Sequence, residues 1–262
     1  MSDSLVRYAA TDGIAVLTLT DPPANAYTHE MLLQLDAAIL RARFDDSVHV
    51  IVLTGDGEKF FCAGANIQML QGVDPSFKYY FCMHANETLN RLEATPKLVI
   101  GALNGHAVGG GLEVALACDI RVAKAGGGKC GIPEVGLGVL PGTGGTQRLA
   151  RLLGSHKAMK LMIDGENFTY DRALELGLVD EVLPAENFMD AVMEFAGRYL
   201  PPGKASKAVG MIKRACVSGA EMSFHDGLAL ERELQQQLFR SEDAAEGFAA
   251  FNEKRAPHFR GK

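Results

Sequence analysis

Two glutamates stand in surroundings where a carboxylate is not expected by chance. Glu113 falls in Asn104-Gly-His-Ala-Val-Gly-Gly-Gly-Leu-Glu-Val-Ala-Leu-Ala-Cys-Asp119, where three consecutive glycines lead into an apolar segment at helical spacing. Glu134 falls in Gly131-Ile-Pro-Glu-Val-Gly-Leu-Gly-Val-Leu-Pro-Gly-Thr-Gly-Gly-Thr-Gln-Arg-Leu149, a loop punctuated by glycine and proline that starts another helix. A charge among apolar neighbours needs a partner or a task. Glu113 could simply favour the positive end of a helix dipole, and Glu134 could cap a turn or pair with Arg148. Taken together, two carboxyl groups in glycine-framed apolar settings are candidates for acid/base work. A third segment, Phe60-Phe-Cys-Ala-Gly-Ala-Asn-Ile67, runs from apolar residues into a turn of small ones, which lets a ligand approach the backbone closely. The N–H groups opening a helix after Gly109-Gly110-Gly111 suit an anion or a developing oxyanion.

Other chemistries lack their signatures. His29-Glu30-Met-Leu-Leu33 has no second histidine for a zinc-protease helix, and Gly136-Leu-Gly138-Val-Leu-Pro141 ends in proline where a dinucleotide fingerprint needs glycine. Neither G-x-x-x-x-G-K-[ST] nor G-x-S-x-G occurs. The five cysteines, Cys62, Cys82, Cys118, Cys130 and Cys216, are odd in number, scattered and without a C-x-x-C pair, against both a disulfide framework and a zinc site. A net charge of -6 leaves no basic stripe for nucleic acid. With Asp3 early and no apolar h-region in the first residues, no secretory signal is expected, and no apolar run is long enough to span a membrane. A reducing cytoplasm is the expected location.

The elements that must position these residues alternate between strand and helix. Leu5–Ala10 and Ile14–Thr20 alternate in polarity around Thr11-Asp12-Gly13 and predict a hairpin. From Thr28, residues Met31, Leu32, Leu35, Ala38 and Ile39 recur at helical spacing, followed by a buried strand at Val48–Leu53 and further strands at Lys97–Leu103 and Ile120–Ala123. This alternation predicts an α/β architecture. Pro201-Pro202-Gly203 breaks the pattern, so residues 1–200 form one region and 201–262 a helical one, with Phe224, Leu228, Leu234 and Leu238 on a stripe that needs a partner surface. At 262 residues, with 47% hydrophobic residues, the chain can bury a substantial core.

The blocks F-C-A-G-A-N-I, N-G-x-A-x-G-G-G-L-E and P-E-V-G-L-G-V-L-P-G-T-G-G-T-Q-R-L, in that order, resemble the successive signatures of the crotonase (enoyl-CoA hydratase/isomerase) family. The similarity continues through Asp243–Arg255 and so covers nearly the whole chain. The resemblance implies a spiral of ββα units with a C-terminal helical trimerisation region, often as two stacked trimers. It implies a 2-enoyl-CoA hydratase, coenzyme A being part of the substrate; with neither metal-ligand clusters nor nucleotide fingerprints in the sequence, no metal or redox cofactor is expected. Carried over by motif position, the N–H groups of Ala65 and Gly110 form the oxyanion hole. Glu113 and Glu134 jointly hold a water, with Glu134 the proton donor to the α-carbon. Coenzyme A contacts are implied for Ala24, Asn25, Ala26, Ala63, Ala65, Asn66, Ile67 and Gly110, with Phe251 and Lys254 supplied by a neighbouring subunit. Ala26-Tyr27 departs from the frequent Ala-Leu, Asn66 stands where many relatives have aspartate, and extra glycines precede Lys129. The aromatic and sulfur side chains of Phe77–His84 could shape an acyl pocket or belong to the core; His106 is expected to be structural. Isomerisation with one carboxylate, a hydratase-lyase reaction and a non-catalytic acyl-CoA-binding role are the competing expectations.

Overall fold

The computed structural model describes residues 4–262. The hairpin opens the fold: β1 (Val6–Thr11) and β2 (Ile14–Leu19) pair antiparallel. Its turn residues Asp12 and Gly13 both have positive φ, 48° and 83°, the backbone a two-residue turn needs to match the strand twist. Helix α1 (His29–Phe44) starts on a Thr28 cap whose hydroxyl accepts from the Met31 N–H, and it buries the predicted residues Met31, Leu32, Leu35, Ala38 and Ile39.

Three ββα repeats follow. In each, a long first strand joins one sheet and a three-residue second strand joins another. The first repeat is β3 (Val50–Gly55), β4 (Phe60–Cys62), then helices α2 (Ile67–Gln71) and α3 (Pro75–Glu93). The second is β5 (Leu98–Leu103), β6 (His106–Val108) and α4 (Gly110–Leu116). The third is β7 (Ile120–Lys124), β8 (Lys129–Gly131), a 3-10 turn (Glu134–Leu137) and α5 (Gly145–Leu153). Then come α6 (Ser155–Asp164), β9 (Phe168–Thr169), α7 (Tyr170–Leu176), β10 (Glu181–Leu183) and α8 (Phe188–Gly197).

The larger sheet has the order β1-β2-β3-β5-β7-β10, parallel from β2 onward. Its inner strands β3 and β5 are buried at every residue, which is why they read as unbroken apolar runs rather than alternating ones. The smaller sheet has the order β4-β6-β8-β9, with β4, β6 and β8 parallel. Stacking these repeats makes the spiral. The C-terminal ends of β4, β6 and β8 therefore lie side by side, and each of the three glycine-framed sequence blocks leaves the sheet there.

Beyond Pro202 the chain is helical: α9 (Ser206–Gly219), α10 (Phe224–Phe239) and α11 (Glu242–Glu253). Leu234 is buried, but Phe224, Phe239, Phe248 and Phe251 are largely exposed. Among the described residues, no helix is long and apolar enough to cross a membrane.

Candidate active site

The turn after β4 and the segment before α1 are stitched together by main-chain bonds. Ala63 N–H donates to Ala24 O (3.0 Å), Tyr27 N–H to Gly64 O (2.9 Å) and Asn66 N–H to Tyr27 O (3.0 Å). Ala24–Ala26 thus run beside Ala63–Asn66. The Ala65 N–H lies between two bonded neighbours and, among the described residues, has no ladder partner of its own. Asn25 is buried with φ 51°, and its side chain bonds only backbone: it donates to Asp56 O and Phe60 O and accepts from Asp21 N–H. Its part is to hold this turn. Asn66 caps α2 through a bond from the Met69 N–H (3.0 Å), and Ile67 follows, exposed.

The turn after β6 meets the turn after β4. Gly109 caps α4 at φ 57°, and Gly110 stands at the first helical position, where the N–H has no partner inside the helix. A Cβ on Gly64 would come within 2.9 Å of Gly110 N, so only a glycine lets the two turns approach this closely. Gly64, and with it the adjoining Ala65, therefore packs against Gly110. Phe251 and Lys254 lie elsewhere in the chain: Phe251 lines a groove of about 540 Å³ with Phe239, Phe248 and Phe259, and Lys254 ends α11 in the left-handed region.

Glu113, on α4, is 2% exposed, and its carboxylate points at the start of α5. Oε1 accepts from the N–H of Thr143 (2.8 Å) and of Gly145 (2.6 Å), while Oε2 accepts from the Thr143 hydroxyl. The Thr143–Gly145 turn is held in turn by Arg148, which donates to Thr143 O (3.2 Å) and pairs with Glu93 at 2.9 Å. Arg148 is therefore not the partner of Glu134.

Glu134 enters from the turn after β8, which Gly109 N–H anchors through Gly131 O (2.8 Å). Its Oε2 is buried without a hydrogen-bond partner among the described residues. Its Oε1 occupies the space above Gly109, where an added Cβ would come within 2.6 Å of it. Burial, and after it the nearby charge of Glu113, pushes the Glu134 carboxyl up to about 7, against the pull of its own N–H, the Gly110 N–H and Lys78. Beside it Val135, Leu137, Val139 and Leu140 form an exposed apolar rim.

From α3, Phe81 is core and stacks on Tyr27 with centroids 5.9 Å apart, while Cys82 and Asn86 abut Gly142 in the turn that holds Glu113. His106 accepts from the Lys129 N–H (3.0 Å), a structural bond between β6 and β8. Thr143 and Gly145, which bond Glu113, and Tyr27, which meets Thr143, are contacts that residue spacing does not reveal. Thr143 and Gly145 lie within the glycine-rich segment that carries Glu134, and Tyr27 marks itself only as a departure from the family pattern. Among the described residues, no cluster of three or more His, Cys, Asp or Glu is placed to hold a metal.

Comparison with known proteins shows the family and the fold. The family described as enoyl-CoA hydratase/isomerase matches residues 9–262. The short-chain-enoyl-CoA hydratase of Clostridium acetobutylicum is 39% identical over 243 residues, 92% of each chain. The crotonyl-CoA hydratase of Syntrophomonas wolfei is 37% identical over 250 residues, 95% of each. A solved enoyl-CoA hydratase structure from Geobacillus kaustophilus superposes with a TM-score of 0.96 at 45% identity, covering 100% of this chain and 98% of that one. With its ββα spiral and its three signature turns at adjacent strand ends, the chain belongs to the crotonase, or enoyl-CoA hydratase/isomerase, family.

Proposed function

We propose that this chain is an enoyl-CoA hydratase, adding water across the 2,3 double bond of a 2-enoyl-CoA thioester to give the 3-hydroxyacyl-CoA. The observation that carries the reading is the contrast between its two carboxyl groups. Glu113 accepts three hydrogen bonds from one turn, whereas Glu134 is half-buried, has a buried Oε2 without a partner among the described residues and keeps its proton up to about pH 7. Groups whose environments differ in this way divide acid from base work.

The chemistry follows from where charge develops. As water attacks C3, electrons move through the conjugated thioester onto its carbonyl oxygen. The N–H groups of Ala65 and Gly110 receive that charge, and losing one such donor typically costs about 3 kcal/mol of barrier. Both carboxyl groups hold the water. Glu113 takes its proton as the C–O bond forms, and Glu134 gives its own proton to C2. Transfer of that proton from Glu113 back to Glu134, directly or through solvent, then restores the starting state.

Coenzyme A would lie along Ala24, Asn25 and Ala26, with Ala63, Ala65, Asn66, Ile67 and Gly110 beside it. Phe251 and Lys254 would reach it from a neighbouring subunit of a trimer or of two stacked trimers, an arrangement supported by the exposed Phe239, Phe248 and Phe251. The region 201–262 is then the assembly region. The reaction requires no metal or redox cofactor, and the protein works in the cytoplasm on a dissolved thioester. A panel of 2-enoyl- and 3-enoyl-CoA thioesters tests the activity: mass spectrometry should show gain of one water on the 2-enoyl substrates. Double-bond migration or chain cleavage without hydration, or no conversion at all, overturns it.

A further inference from the structure

Tyr27 stands where three parts of the site meet. Its main chain brackets Ala65, donating to Gly64 O (2.9 Å) and accepting from Asn66 N–H (3.0 Å). Its ring edge packs on Gly110, where an added Cβ would lie 2.2 Å from the tyrosine oxygen. Its hydroxyl ends 3.1 Å from the Thr143 hydroxyl oxygen, and Thr143 in turn bonds Glu113. The side chain is buried at 3% exposure and stacked on Phe81.

Counting hydrogens gives the chain of bonds a direction. Thr143 has a single hydroxyl hydrogen, and a carboxylate can only accept, so that hydrogen goes to Glu113 Oε2. The remaining contact must then use the hydrogen of Tyr27. Burial first, and then the Glu113 charge, raises the tyrosine's ionisation well above its ordinary range, so it remains a donor. Tyr27 donates to Thr143 and Thr143 donates to Glu113, each bond polarising the next inside a water-poor setting.

We propose that Tyr27 is a positioning residue for hydration: it aims the Thr143 hydroxyl at Glu113 Oε2, holding the base on the side where Ala65 and Gly110 place the thioester oxygen. This rests on the hydratase reading above. The same ring fixes both the oxyanion turn and the base, so base orientation and carbonyl orientation are set by one side chain. A purely space-filling aromatic would need the ring and its stacking but not the hydroxyl.

Tyr27→Phe separates the two, since it keeps the ring. With a 2-enoyl-CoA that the wild type hydrates, kcat should fall on the order of 10-fold while KM changes by less than about 2-fold, the signature of an interaction that matters in the transition state rather than in binding. In a Thr143→Val background, where the link is already cut, adding Tyr27→Phe should change kcat by less than about 2-fold. Thr143→Ser, which keeps a hydroxyl, should retain more activity than Thr143→Val. Circular dichroism melts of each variant identify loss of fold. Wild-type kcat in a folded Tyr27→Phe, or a full 10-fold loss on top of Thr143→Val, overturns this inference while leaving the hydratase reading intact. A wild type that hydrates no 2-enoyl-CoA overturns both.

Discussion

Thr143 binds Glu113 twice, its N–H meeting Oε1 at 2.8 Å and its hydroxyl meeting Oε2, across 30 residues of chain. A carboxylate gripped at both oxygens cannot rotate, and general-base catalysis depends on that orientation. The orientation of the Glu113 carboxylate is set by the turn that opens α5 as much as by the helix that carries it.

The carboxylates should behave as a unit. Glu113→Gln and Glu134→Gln keep size and remove basicity, and each should lower hydratase kcat by at least about 100-fold, a loss usual for acid/base groups. KM should move little. The double variant should lose much less than the product of the single losses, because groups acting on one water are not additive. Near-normal hydration by either single variant would show that one carboxylate suffices.

The raised ionisation of Glu134 makes activity and stability depend on pH in a stated direction. Proton donation to C2 needs the protonated form, so kcat/KM for the free enzyme should fall as pH rises through about 7. For stability, the folded value lies above the ordinary 4.5, so between these values the folded protein binds more protons than the unfolded chain. Its contribution is therefore full below about pH 4.5 and lost as pH rises through about 7. Glu134→Gln should consequently gain stability relative to wild type as pH rises from 5 to 8 in chemical-denaturation curves. A difference that does not change over this range would contradict the assignment.

Close backbone approach at the second glycine-rich turn should tolerate no side chain. A Cβ on Gly111 would lie 1.9 Å from the carbonyl oxygen of Cys62, a backbone atom fixed in β4. Gly111→Ala should cost on the order of 3 kcal/mol or more, as overpacking against rigid atoms does. Gly136, with open space around its Cβ position, supplies the control: Gly136→Ala should leave the denaturation midpoint nearly unchanged. Equal effects of the two substitutions would argue against the turn geometry.

Assembly should leave the monomer unpopulated at micromolar concentration. Light scattering should give the mass of three or six 28.1 kDa chains. Replacing Phe248 and Phe251 by serine should weaken that assembly, since exposed aromatic patches of this kind mark interaction surfaces. A 28.1 kDa particle for the wild type would refute it.

Catalysis should be indifferent to chelation. Hydratase rates measured before and after EDTA dialysis should agree, whereas loss restored by a divalent ion would require a metal in the mechanism.

Much of this protein is written locally in its chain. Unbroken apolar runs such as Val50–Leu53 define central strands because both faces of a parallel sheet are covered. Asp12-Gly13 defines its turn because few other residues tolerate both positive φ angles. Glu113 and Glu134 stand out because charges among apolar neighbours need a reason. The three-residue strands β4, β6 and β8 left no such trace: three residues are too few to show a period, and their pairing partners lie tens of positions away. Only their alignment brings Ala65, Gly110 and Glu134 to one edge. Tertiary packing likewise decided that Arg148 bonds Glu93 rather than Glu134, that Thr143 and Gly145 grip Glu113, and that the Tyr27 hydroxyl reaches Thr143 across 116 residues. Residue type limits what a side chain can do, but which partner it meets depends on distances that exist only once the spiral has closed.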